Sequence, residues 1–263
     1  MKALILCASL IAVLFAPAAS TAAGFDHSYK AYAAILTNHV KDSAVNYRAL
    51  SLNPDPLRSV LGEFSKASEA DFALWTRAKQ SAFLINVYNA HILMLVATNY
   101  PGTTIRRMGR GVTSPWQLPI VRVVGRTTTL EALVQGPLRR GIGDARVHYA
   151  LCQGAKGSPA LRSEPYHPDK LDEQFADQAR LFLGDSAKNR VDTKRKVLWL
   201  SPIFMWYGAD FTNREPSLIK IIRPHVDKTA GELIDAATAE EPVKFDYSDF
   251  NWDLNDQRSR SKP

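Results

Sequence analysis

The chain has 263 residues, 46% of them hydrophobic, and a formal net charge of +7. That balance belongs to an ordinary globular protein and excludes disordered and collagen-like chains. Two cysteines, Cys7 and Cys152, are too few for a scaffold built on disulfides.

The first 23 residues read as a secretory signal. Lys2 precedes an apolar run from Ala3 to Phe15, and small residues follow, with cleavage expected between Ala18 and Ala23. The run is too short for a bilayer span, which takes about 20 residues. Its removal leaves about 240 residues, enough for one large domain, and Cys152 as the remaining cysteine. A periplasmic or secreted protein is expected, with no transmembrane segment in the mature chain. The arginines between Arg106 and Arg146 are scattered, with no basic helix and no interleaved aromatics, so a solvated face is expected and nucleic acid is an unlikely partner.

In chain order, the apolar spacing predicts a helix over 29–40 and an extended piece at Val45–Tyr47. After a break at Asn53–Pro56 comes a helix that buries Leu57, Val60, Leu61 and Phe64. Residues 78–100 are apolar nearly all round and should form a helix through the centre of the domain. Asn86 and Asn89 share one of its faces; as buried amides they either tie down neighbouring backbone or line a pocket. A strand at 120–124 turns at Gly125-Arg126. A short helix at 130–139 should break at Gly136-Pro137. The period of two in Val147, Tyr149 and Leu151 predicts a buried strand ending in the glycine-rich loop at 153–158. A helix at 171–183, a strand at 194–200, an aromatic-rich segment at 201–211 that begins a helix, short helices at 217–226 and 229–237, and an extended aromatic stretch at 244–254 complete the domain. Residues 258–263 read as a disordered basic tail. The fold class is α+β, a single mixed domain over 24–257 with a central buried helix packed on a small, mostly antiparallel sheet.

A lone exported cysteine invites a thiol-enzyme hypothesis, with Cys152 as nucleophile and His148 as base. On one strand the two would stand roughly 13 Å apart, far beyond proton-transfer reach. Cys152 would need another imidazole, from His91, His167 or His225, or a bulge to change its register. The loop at 153–158 lacks the Gly-Lys-Ser/Thr order of a phosphate loop, so its glycines read as turn residues. No metal motif is visible among the dispersed histidines, no G-x-S-x-G elbow is present, and no cofactor is implied.

Ala82–Ala90 (AFLINVYNA), Arg146–Arg162, Leu200–Phe211 (LSPIFMWYGADF) and Phe250–Asn255 (FNWDLN) come in an order and spacing that resembles the domain of unknown function 547 family, over roughly Asn46 to Asn255. The family's molecular role is not established. The resemblance carries over Asn86, Tyr88, Asn89, His148, Ser201, Trp206, Tyr207 and Asp210. The family pattern has Ile-Glu-His where this chain has Leu133-Val134-Gln135. It often has cysteine at the positions of Gln153 and Ser158, and Tyr-Asp-Trp where Phe250-Asn251-Trp252 stands. A cysteine, a histidine and an acid would suit a papain- or transglutaminase-like site. Here, however, the partners are replaced by amide, hydroxyl or apolar groups. The expectation is therefore an exported, non-catalytic binding or structural domain with a degenerate cleft, facing an unidentified ligand or envelope partner. Asn86, Tyr88, Asn89, Arg162, Trp206, Tyr207 and Asp210 form its binding set. The alternative is a thiol-dependent hydrolase or acyl transferase using Cys152.

Overall fold

The computed structural model describes residues 24–212, 218–238 and 240–260. The expected signal segment, and residues 261–263 of the expected tail, lie outside the described residues. The helices are α1 (Lys30–His39), α2 (Tyr47–Leu52), α3 (Asp55–Ser65), α4 (Glu69–Leu74), α5 (Arg77–Thr98), α6 (Leu130–Leu133), α7 (Leu171–Leu183), α8 (Ile203–Trp206), α9 (Gly208–Thr212), α10 (Leu218–Ile222) and α11 (Lys228–Asp235). The strands are β1 (Val40–Lys41), β2 (Ala44–Val45), β3 (Val121–Val123), β4 (Arg126–Thr128), β5 (Arg190–Asp192), β6 (Val197–Leu200) and β7 (Lys244–Tyr247).

The structure is α+β, as expected. Antiparallel hairpins β1–β2 and β3–β4 accompany a three-stranded sheet in the order β5-β6-β7, whose one parallel pairing sets Leu198 beside Phe245. Helix α5 is the axis of the larger core. The Thr76 side chain caps its first turn by accepting from the Lys79 N–H at 3.3 Å. It is long and apolar enough to cross a membrane by length and composition, yet its residues from Ser81 to Leu93 are all buried. The elements packed on it are α2, α3, α6 and β3, so helices cover it more than the expected sheet does. Each Leu or Ile buried there contributes about 1.5–3 kcal/mol. A second core gathers Phe182, Leu198, Leu200, Phe204, Phe211 and Ile222 between α7, the three-stranded sheet and α8–α10.

Local chemistry overrides the sequence expectation in several places. Tyr47 begins a helix instead of ending an extended piece, because the Asn46 side chain caps it by accepting from the Ala49 N–H at 3.0 Å. The expected strand at 147–152 does not form. Ala145–Tyr149 is a 3₁₀ helix, opened by the Asp144 carboxylate accepting from the Arg146 N–H at 3.0 Å and continued by Ala150 N–H to Val147 C=O at 2.9 Å. Every residue from Val147 to Ala155 is buried, so the alternation had no wet face to report. Val147, Ala150, Leu151 and Cys152 enter the larger core and Tyr149 the second, a division that does not follow the period of two. Gln257–Arg260, at the start of the stretch read as a tail, form a 3₁₀ turn.

Candidate functional site

Three features of the chain converge on one cleft. The first is α5, which presents Tyr88. Its neighbours Asn86 and Asn89 answer the question that the sequence left open, because both tie backbone to the helix. The Asn86 amide donates to Tyr166 C=O and accepts from Tyr166 N–H, each at 2.9 Å. Asn89 does the same for Ala150 C=O and Cys152 N–H at 3.0 Å. These amides pin the buried 150–166 segment to the central helix, and neither lines the cleft.

The second feature is the turn after α6. The helix does not break at Gly136-Pro137. Pro137 has no N–H to donate, and its ring crowds the carbonyl four residues back in an α-helix. The chain widens into a π-helix over Val134–Ile142, which closes with Gly143 N–H on Leu138 C=O at 3.2 Å. This carries Gln135 into the cleft and swings Arg139 beneath it. The Arg139 guanidinium holds Asp210 with two bonds, Nε to Oδ2 at 2.5 Å and Nη2 to Oδ1 at 2.7 Å, and also donates to the Gln135 side-chain oxygen. His148, buried in the 3₁₀ turn, lies 2.7 Å from the same carboxylate through Nε2, and Tyr207 stacks flat on its ring at 4.0 Å. A carboxylate only accepts, so Nε2 carries the proton. Burial lowers the pKa of His148, although Asp210 pulls the other way. Burial alone would raise the pKa of Asp210, but bonds from Arg139 and His148 outweigh it and hold the carboxyl below its ordinary value.

The third feature is the loop after Cys152. Gly154 takes φ +70°, and a Cβ there would stand 3.2 Å from Ile92 and 3.3 Å from Val96, so the turn presses against α5. The loop's amides are engaged by the chain's own C-terminal stretch. Lys156 N–H donates to Asp253 C=O at 2.8 Å, and Gly157 N–H to Asn251 C=O at 2.9 Å. This same pairing brings Trp252 across the cleft.

The resulting cavity, of about 360 Å³, has an aromatic wall and a polar one. Trp116, Trp206 and Trp252 make the first, with Trp252 edge-on to Trp116 at 5.5 Å and near-parallel to Trp206 at 5.9 Å. Gln135, Gln153 and Glu131 make the second, with Tyr88 and Tyr207 between the walls. Gln153 is 9% exposed, and among the described residues its side-chain amide has no hydrogen-bond partner. Arg106 lies 5.5 Å over the Trp252 ring.

Of the expected site residues, Tyr88, Trp206 and Tyr207 line the cleft, while His148 and Asp210 form a pair behind Tyr207. Arg162 is elsewhere, held by Asp177 at 2.6 Å and Glu164 at 2.7 Å. Cys152 is 1% exposed, and its sulfur touches Ser158 Oγ and Asn255 Nδ2, each at 3.6 Å. Burial pushes its thiol up, against partial opposition from those hydrogen bonds. Trp116, Glu131 and Trp252 were not singled out as site residues from the sequence. Three of the chain's five tryptophans converge here, and only the fold shows it. Among the described residues, no group of three or more His, Cys, Asp and Glu side chains is placed to hold a metal ion.

No curated protein and no solved structure matches the chain, so the papain- or transglutaminase-like expectation has no support. Residues 72–183, which hold α5, the π-helix and the loop with Gln153, match the family model described as "Protein of unknown function, DUF547", and the resemblance drawn from the sequence is borne out over that stretch.

Proposed function

We propose that this protein is an exported binding domain whose cleft seats a small ligand and carries out no chemistry on it. The observation that supports this most is the pair of amides facing the cleft. Gln153 and Gln135 stand where the family pattern often places a cysteine and a histidine, and an amide neither attacks a carbonyl nor takes a proton near neutral pH. The thiol that the chain does have, Cys152, is packed in the larger core with its pKa raised, the reverse of a reactive cysteine. The Arg139–Asp210–His148 set then serves to hold the π-helix and α9 together beneath the cleft. The reading of residues 1–23 as a secretory signal supports a location at the cell envelope or outside the cell.

Iodoacetamide labelling near neutral pH tests the non-catalytic assignment. Cys152 in the folded chain should react far more slowly than in the urea-unfolded chain. Labelling as fast as, or faster than, in the unfolded chain would overturn the assignment and restore a thiol-dependent hydrolase or acyl transferase.

A further inference from the structure

We infer that the ligand of this cleft is a saccharide without net charge, stacked by one sugar face on the tryptophan wall. The inference rests on the binding assignment above and adds the ligand class to it.

The polar wall excludes most other chemistries. No lysine or arginine lines the cavity; the Arg139 guanidinium behind it is bound to Asp210 and Gln135 and that of Arg106 lies over the Trp252 ring, so a phosphate or carboxylate finds no counter-charge among the lining residues. A wholly apolar ligand would seal the Gln153 amide away from water with nothing to bond, which is unfavourable. An organic cation would need open ring faces arranged around it. Here Trp206 is the exposed ring of the three tryptophans, at 39%, and Arg106 already sits over Trp252, so the rings form no cage around a cation.

What the lining offers together is the exposed Trp206 ring and groups that both donate and accept. Gln153 presents a carbonyl oxygen and an amino group, Gln135 has its amino group left while its oxygen accepts from Arg139, and a sugar hydroxyl is both donor and acceptor, so the two glutamines can bond hydroxyls while Glu131 accepts from another. The C–H face of a pyranose ring is apolar and flat, and it matches Trp206, which is 39% exposed at the mouth. The volume of about 360 Å³ lies at the small end of ligand pockets. It therefore suits one or two sugar rings with any longer chain leaving past Trp206.

The intact protein should be titrated with di- and trisaccharides of glucose and of N-acetylglucosamine, with choline chloride as the cationic control, by intrinsic tryptophan fluorescence and calorimetry. At least one saccharide series should give a saturable signal, weakened about tenfold by Trp206→Ala and by Gln153→Leu. Both variants should show wild-type circular dichroism, since Trp206 is at the mouth and leucine preserves the Gln153 volume. The saccharide assignment is overturned by three outcomes: no saturation with any sugar, saturation that neither variant weakens, or saturation by choline instead. The binding assignment fails separately. If a Gln153→Cys variant is labelled by iodoacetamide no faster than wild type, small molecules do not enter the cleft at all.

Discussion

The Nε2 atom of His148 lies 2.7 Å from the Asp210 carboxylate, while the ring's flat face is covered by Tyr207 at 4.0 Å. The pair joins the 3₁₀ turn at 145–149 to α9, and Arg139 clamps the same carboxylate from the π-helix. Asp210→Asn should therefore cost about 2 kcal/mol in urea unfolding, because one accepting oxygen becomes an NH2 that cannot accept and the remaining bonds lose their charge. A loss within experimental error would mean that the carboxylate is not held as the geometry shows.

Acid should weaken the fold in a defined window. Burial lowers the pKa of His91 to about 4, although its ring bond to Val87 C=O at 2.8 Å acts in the opposite sense. Its folded-state pKa is below the unfolded value near 6.5, so between those limits the unfolded chain binds the extra proton. The stabilising contribution is complete above pH 6.5 and declines as the pH falls toward 4. His148, also shifted down, adds in the same direction. His91 alone should make the protein about 2 kcal/mol less stable at pH 5 than at pH 7. His91→Gln should flatten that dependence in urea midpoints measured across the range. An unchanged slope would show that His91 is not the group titrating.

Asn89 satisfies two buried backbone groups at once, Ala150 C=O and Cys152 N–H. Asn89→Ala should lower unfolding free energy by about 2–4 kcal/mol, the sum for two groups left without partners. Asn86→Ala should behave alike through Tyr166. Thermal unfolding of the two variants checks this, and a shift no larger than that of an exposed alanine substitution would contradict it.

Gly154 is needed for its backbone. Gly154→Ala forces an L-residue to φ +70° and puts its Cβ 3.2 Å from the Ile92 side chain. A loss of about 1–3 kcal/mol is expected from the dihedral and the crowding combined. Gly125→Ala also has a positive φ, +68°, but nothing lies within 4 Å of its Cβ. It should therefore lose less, and the difference between the two isolates the packing against α5.

The contrast between Cys152 and its neighbour makes a sharper probe of the cleft. Gln153→Cys introduces a thiol that faces the cavity, whereas Cys152 stays in the core. In the double variant Cys152→Ala/Gln153→Cys, iodoacetamide should label rapidly, and in wild type slowly. Equal rates would place both positions in the same environment.

The central helix was legible in the sequence because 22 consecutive residues with apolar groups on every side have one place to go, the middle of a core. The helix at 171–183 was legible for the opposite reason, its single apolar face. The segment at 147–152 was misread because period-two alternation signals a strand when one face is wet, and this segment is buried on all sides. The π-helix was hidden as well, since Gly136-Pro137 ordinarily ends a helix and here only widens it. Arg162 was expected in the binding set, but its acidic partners Glu164 and Asp177 come together only when α7 packs beside the loop.

The sequence by itself determined the α+β class and the buried axis at α5. Those are matters of residue type and near-neighbour spacing, which the linear chain displays. The tertiary structure alone decided that Trp116, Trp206 and Trp252, up to 136 positions apart in number, line one cavity together with Gln135 and Gln153. That convergence depends on the C-terminal stretch pairing with the Gly154–Gly157 loop, and backbone hydrogen bonds between distant segments leave no periodicity in the sequence to announce them.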